Sequence, residues 1–233
     1  MRESKTHIDQ QDIIFYEPFL SEQDVRRNGG DPNVGATSPT FVNGVGVFDG
    51  ITAEINYPRP KIKFCQPEGP FSVRVKVFLT DTDASSFVQL YDNVTPMQEF
   101  RFLICGIWPN AGDVDKLALE LWDDHGTGVS REMRGRKYDT ALTTIALNKW
   151  TEFVCTYDGG GGSTPEAGIC LYMDGVRVDD ADVTLDNGGD YEGMEYNPTL
   201  PLQVGRNCAG KMDIVEIYNR VLTPEEVANL AGV

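Results

Sequence analysis

The chain has 233 residues, 40% of them apolar, and a formal charge of −16 from 20 basic and 36 acidic side chains. That is enough length and apolar content for one large domain with a true core. The charge repels phosphate backbones and anionic lipid, which argues against nucleic acid and membrane surfaces as partners and suits divalent cations.

Residues 1–12 are polar and read as an N-terminal arm, a possible anchor, ahead of one domain over 13–233. The opening MRESKTHIDQQDIIFYEPF has no apolar stretch of the secretory kind, and no later run approaches the roughly 20 apolar residues that span a bilayer. From residue 41 on, period-two alternation dominates. FVNGVGVFDGITAEINY (41–57) carries two strands around Asp49-Gly50. FSVRVKVFL (71–79) sets Phe71, Val73, Val75, Val77 and Leu79 on one face, with Ser72, Arg74 and Lys76 on the other. FVQLYD (87–92), EFRFLICGIW (99–108), KLALELW (116–122) and WTEFVCTYD (150–158) follow, then ICLYMDGVRV (169–178) and KMDIVEIY (211–218). Gly, Pro, Asn and Asp punctuate these runs at short intervals, as in a sandwich or barrel. Gly159 to Gly162 lie between two runs that would pair, which predicts a hairpin loop rather than a domain boundary.

One helix closes the chain. In LTPEEVANLAGV, Thr223 is the expected N-cap, Pro224 the first helical residue, Glu226 the return half of a capping box and Gly232 the stop. Two turns are too short to persist alone, so Val227 and Leu230 must pack on a sheet. The five cysteines are odd in number, which favours buried, reduced thiols over a disulfide framework; a Cys155–Cys170 bridge across a hairpin is the one pairing left open.

The ordered set KWTEFVCTYDG (149–159), ICLYMDGVRV (169–178), LQVGRN (202–207) and GKMDIVEIYNRVLTPEEVANL (210–230) resembles the laminin-G-like, concanavalin-A-like jelly-roll domains. GVGVFDGITAEINY (44–57) is similar to their early strand pair with its Phe-Asp-Gly turn. The resemblance covers most of the chain from about residue 13. It implies an all-β sandwich of two antiparallel sheets with a short C-terminal helix, usually a glycan- or protein-recognition module, often with calcium at the rim. Some relatives cleave glycans, so fold alone does not decide function.

A retaining glycosidase needs two carboxylates about 5–5.5 Å apart. The Glu-x-Asp-x-Glu pattern of concanavalin-A-like glucanases is absent, and Glu120, Asp123 and Asp124 have the wrong spacing. SREMRGR (130–136) resembles the Arg-rich strand of alginate-lyase relatives but lacks its first Arg and any Gln-x-His partner. With only His7 and His125, a histidine triad or zinc cluster has little to draw on. No catalytic residue is expected.

Calcium wants six to eight oxygens on a wrapping loop. LDNGGDYEGMEYN (185–197) offers Asp186, Asn187, Asp190, Glu192 and Glu195, within a stretch (151–200) that holds eleven acids and one base, Arg177. The alternative is a solvated acidic surface. Stacking platforms for a glycan would come from Trp108, Trp122, Tyr138, Tyr191 and Tyr196, with Tyr191 and Tyr196 favoured by their turn-forming neighbours; Trp150 is expected in the core. Arg131, Arg134, Arg136 and Lys137 form one basic cluster, able to dock an acidic glycan or protein face or to pair with the chain's own acids.

The expectation is therefore a non-catalytic recognition or surface-structural protein, a carbohydrate-binding lectin-like jelly roll. Its setting would be a particle such as a phage virion, as a capsid decoration or fibre component, with the arm touching capsid or tail proteins and a homo-oligomer open. The alternatives are a lectin or adhesin module of a secreted protein, and a glycan-cleaving enzyme.

Overall fold

The alternating residues of FSVRVKVFL form a single strand over their whole length, β5 (Phe71–Leu79), with its apolar set buried. The computed structural model describes residues 12–33, 36–58, 69–82, 85–91, 98–104, 116–123, 132–137, 145–161, 163–179, 184–186, 191–194 and 196–233, with backbone alone for 98, 132–137 and 184–186. Before β5 come β1 (Ile13–Glu17), α1 (Glu22–Arg27), β2 (Thr40–Val42), β3 (Val45–Asp49) and β4 (Ile55–Tyr57). After it come β6 (Ser86–Tyr91), β7 (Gln98–Ile104), β8 (Leu117–Asp123), β9 (Glu132–Lys137) and β10 (Trp150–Tyr157). The chain closes with β11 (Ile169–Met173), β12 (Val176–Arg177), β13 (Thr184–Asp186), β14 (Leu202–Val204), β15 (Ala209–Tyr218) and α2 (Pro224–Ala231).

The strands make two antiparallel sheets. One is ordered β12-β11-β10-β5-β15-β3-β2, with β1 also on β15; the other is ordered β13-β9-β8-β7-β6-β14-β4. Their inner faces meet through aromatic pairs: Phe71 of β5 lies 5.3 Å from Phe100 of β7, and Phe87 of β6 stacks at 5.4 Å on Phe153 of β10. Such cross-sheet contacts make one continuous core.

The turns obey their chemistry. Asp174 and Gly175 both take positive φ (47° and 81°), as a two-residue hairpin requires. Asp49, before Gly50, accepts N–H bonds at Oδ1 from Ile51, Thr52 and Ala53 at 2.8–2.9 Å, and a hydroxyl bond at Oδ2 from Thr37. Burial disfavours its charged form, but these four donors outweigh that and hold the carboxyl well below the usual range. The glycine run belongs to the β10–β11 hairpin, where Tyr157 pairs with Ile169 and the connection ends in a 3-10 turn at Pro165–Gly168.

The terminal helix has the expected capping box: the Thr223 hydroxyl accepts from Glu226 N–H and the Glu226 carboxylate accepts from Thr223 N–H. Arg220 clasps the same carboxylate at 2.7 and 2.8 Å and reaches Asp12 at 2.6 Å, tying the two ends of the domain. The bonds from Arg220 lower the Glu226 pKa to about 2 against the opposing effect of burial.

One expectation needs correction and one open pairing is closed. A second helix, α1, is present, capped by Ser21, whose hydroxyl accepts from Asp24 N–H at 3.2 Å; it is six residues with one buried side chain, Val25, too little to show periodicity. Cys155 and Cys170 do not face each other. Cys155 lies opposite Leu171 and Cys170 opposite Thr156, so a one-residue offset turns them to opposite faces of the sheet. Cys155, Cys170 and Cys208 are free thiols, and burial pushes Cys208 up to about 12. Residues 1–11 of the proposed arm, Cys65 and Cys105 lie outside the described residues.

Candidate functional site

In the seven-stranded sheet the core takes Ile55, Tyr57, Leu90, Phe100, Phe102, Leu119, Leu121, Leu202 and Val204. Alternation then turns the residues between them to the outer face. Register aligns five of these across five strands: Asn56 (β4) opposite Gln203 (β14), Gln203 opposite Gln89 (β6), Gln89 opposite Arg101 (β7), and Arg101 opposite Glu120 (β8). Four strand spacings make this polar row about 19 Å long. Beside it Tyr91 and Trp122 meet edge to face at 5.5 Å, and the Arg101 guanidinium lies 4.5 Å over the Tyr91 ring.

The row is tied together in two groups. Gln89 Nε2 donates to Gln203 Oε1 at 2.5 Å, which also accepts from Arg206 at 3.3 Å. Arg101 Nη1 lies 3.4 Å from Glu120 Oε2, and Trp122 Nε1 donates to the same oxygen at 3.2 Å. Burial raises the Glu120 pKa, and Arg101 and Trp122 oppose that shift. Among the described residues Arg101 Nε, Glu120 Oε1 and Asn56 Oδ1 have no hydrogen-bond partner. Unpaired polar atoms in a buried row cost free energy. Chemically, the strip carries hydrogen-bond donors and acceptors side by side, with the Tyr91–Trp122 pair packed along its edge.

Farther along β7 and β8, two carboxylates hold backbone amides of residues 192, 193 and 197. Asp123 Oδ2 accepts from Glu192 N–H at 2.5 Å and Gly193 N–H at 3.2 Å, and Glu99 Oε1 accepts from Asn197 N–H at 2.6 Å. Asp123 and Glu99 therefore position these residues.

A family profile described as "Concanavalin A-like lectin/glucanases superfamily", of laminin G type, matches residues 66–228. The chain belongs to that superfamily. No curated protein matches this concanavalin A-like chain in sequence. Among solved structures it is similar to the binding domain of Paraclostridial Mosquitocidal Protein 1, with TM-score 0.60 and 16% identity over 95% of this chain and 52% of that one. Domain 4 of AbnA, an extracellular arabinanase of Geobacillus stearothermophilus solved with arabinotriose, gives TM-score 0.51 and 18% identity over 84% of this chain and 82% of that one. The botulinum neurotoxin serotype G binding domain gives TM-score 0.51 and 16% identity over 88% and 46%. This concanavalin A-like domain thus spans about half the length of the two toxin domains, and at these identities the likeness is one of fold.

The predicted site residues of the concanavalin A-like domain scatter. Tyr191 is only 3% exposed and packs in the core with Met194 and Leu200, so it has no open ring face to offer as a platform. Tyr196 is 41% exposed and keeps that possibility. Trp122 is buried on the outer face, spent on Glu120 and Tyr91. Trp150, expected in the core, is 36% exposed, because position 150 falls on the outward side of β10. Strand register puts Arg134 opposite Asp186 and Arg136 opposite Thr184, bringing a predicted anion-binding residue and a predicted calcium ligand to paired positions. Glu192 is exposed, its N–H spent on Asp123. Trp108, Arg131, Tyr138, Asn187, Asp190 and Glu195 lie outside the described residues. Among the described residues no group of three His, Cys, Asp or Glu is disposed to hold a metal ion.

Sequence reasoning missed Asn56, Gln89, Arg101 and Gln203. Each was visible as a lone polar residue between apolar neighbours, in INY, VQL, FRF and LQV. Nothing in one dimension says that four such positions share a row.

Proposed function

We propose that this domain is a non-catalytic glycan-recognition module whose ligand lies along the Asn56–Gln203–Gln89–Arg101–Glu120 row. The observation that carries the reading is that row itself, polar across five strands and flanked by the Tyr91–Trp122 pair. Sugars are recognised by such planar donors and acceptors beside aromatic rings. The arabinotriose-bound neighbour supports the same class of ligand. The non-catalytic part rests on how the carboxylates are used: Glu120 faces Arg101 and Trp122, while Glu99 and Asp123 hold backbone amides.

A glycan array tests this. The wild type should bind at least one neutral oligosaccharide, and Gln203→Leu, assayed well below a melting midpoint that falls by a few degrees because the buried Gln89 amide is left unpaired, should weaken that binding by about tenfold, the worth of one or two hydrogen bonds. A variant with the wild-type binding profile would sink the placement of the site, and depolymerisation of the bound glycan by the wild type would overturn the non-catalytic part.

Calcium at the Asp186–Glu192 loop and display on a particle such as a virion belong to the same proposal. Equal melting midpoints with calcium and with chelator would remove the first, and electron microscopy of the native assembly tests the second.

A further inference from the structure

The outer face of the eight-stranded sheet changes character along its strands. At one end α2 covers it, with Val227 and Leu230 packed among Val154, Tyr172 and Tyr218. In the middle Arg74 is held between Glu152 and Glu216. At the far end register sets Trp150 of β10 opposite Phe78 of β5, and Phe78 opposite Lys211 of β15. Trp150 and Lys211 are exposed and Phe78 is half-buried.

This end is an aromatic surface with cations over it. The Trp150 and Phe78 rings meet edge to face at 5.8 Å. Lys76 Nζ stands 5.9 Å above the Trp150 ring and Lys211 Nζ stands 5.1 Å above that of Phe78. Lys76 is shared with Asp213 at 3.1 Å. Lys211 has no acidic partner among the described residues, in a chain where 36 acids face 20 bases. An exposed cation–π contact is weak, so the Lys211 ammonium is available to an anion.

We propose that the Trp150–Phe78–Lys211 row is a second binding site, which takes the acidic unit of an anionic saccharide. The sugar's apolar C–H face stacks on Trp150 and Phe78, and its carboxylate or sulfate pairs with Lys211. Charge sets the sign of the ligand, because this cationic spot stands out against an acidic chain. Size sets its class. Three strands measure about 10 Å across, whereas a stable protein interface buries roughly 800 Å² on each partner. The row fits one or two sugar rings and is too small for a folded acidic partner. It lies on the opposite sheet from the polar row, so the two sites stand or fall separately.

The test titrates the full chain with an oligogalacturonate trimer, which carries carboxylates, and a heparin-derived tetrasaccharide, which carries sulfates. Cellotriose is the neutral control and poly-glutamate the acidic-peptide control. At least one anionic saccharide should bind, more weakly as salt rises from about 50 to about 300 mM. Trp150→Ala and Lys211→Ala should each weaken binding about tenfold or more; Lys211→Arg should retain it and Gln203→Leu should leave it unchanged. Lys211→Ala trims an exposed side chain, so its melting midpoint should match the wild type and separates lost binding from lost fold. Whichever anionic probe binds identifies the acidic group. The proposal is overturned if neither anionic saccharide binds, if Lys211→Ala binds like the wild type, or if poly-glutamate binds as tightly and with the same dependence on Trp150.

Discussion

Arg74→Met should destabilise the domain by about 3–5 kcal/mol, the range for removing one partner from a buried ion pair. The guanidinium gives Nε and Nη2 to Glu152 Oε2, at 2.8 and 2.5 Å, and Nη1 to Glu216 Oε2 at 2.8 Å; Tyr218 also donates to Glu216, at 2.6 Å. All three charged side chains are shielded, Arg74 at 13%, Glu152 at 7% and Glu216 at 9% exposure. Methionine fills a similar volume but leaves two buried carboxylates with no cation between them. For a chain of 233 residues the melting midpoint should fall by roughly 10 °C at pH 7. Lys76→Met is the contrast, since its ion pair with Asp213 is well solvated and its loss should cost less than about 1 kcal/mol.

The same variant has a predictable pH signature. Burial raises the Glu152 pKa in the folded protein; Arg74 pulls it down, while Glu216 adds to the rise. A folded-state value above the unfolded one means that the native state binds the proton more tightly. The Glu152 contribution to stability is then fully present below the ordinary glutamate pKa of about 4.3 and is lost as pH rises through the folded value. Without Arg74 the Glu152 value climbs further. The deficit of Arg74→Met against the wild type should therefore be largest at neutral pH and shrink as pH falls toward about 4. Urea denaturation at pH 4.5 and pH 7.5 reads this directly; an equal deficit at both would mean that the carboxylates are not what the arginine neutralises.

This network also shows why some features could be read in the sequence and others could not. The face of β5 was legible, because Phe71, Val73, Val75, Val77 and Leu79 alternate without a break, and the inner face of a sandwich asks only for apolar residues. The Asp174-Gly175 turn and the Thr223 cap were legible because their chemistry is local. The outer faces were not. Val154 looks like core and is buried, yet what buries it is a helix that arrives seventy residues later. Trp150, on the same side of β10, lies beyond that helix's reach and is exposed. The polar row depends on register among five strands drawn from residues 55 to 204, and register between distant strands is set by the whole packed sandwich. The acidic loop was found by composition, but Asp123, which anchors part of it, was weighed only as a catalytic acid because a carboxylate's backbone partners are invisible until the chain folds.

Gly210→Ala should cost about 4 kcal/mol, combining a backbone conformation closed to other residues with an overlap that cannot relax. Gly210 has φ of 144°, and a Cβ built there would stand 2.1 Å from the Phe78 carbonyl oxygen and 3.1 Å from Leu79 Cα. Both obstacles are main-chain atoms of the strand that β15 pairs with, at the register position where Gly210 lies opposite Leu79. No side-chain rotation clears them, so β15 must lift away from β5 at that end. Gly232 separates the two causes: its φ is 77°, but nothing lies within 4 Å of the added methyl, so Gly232→Ala should cost only about 1 kcal/mol. The melting midpoint of Gly210→Ala should accordingly drop by roughly 10 °C and that of Gly232→Ala by about 3 °C. Equal drops would mean that the close approach of β15 to β5 is not tight. Because Lys211 follows Gly210 and pairs with Phe78 in the same register, Gly210→Ala should also lose the anionic saccharide at temperatures where it is still folded. Lys211→Ala should lose the saccharide and keep its midpoint, and the pair of variants distinguishes a displaced strand from a missing charge.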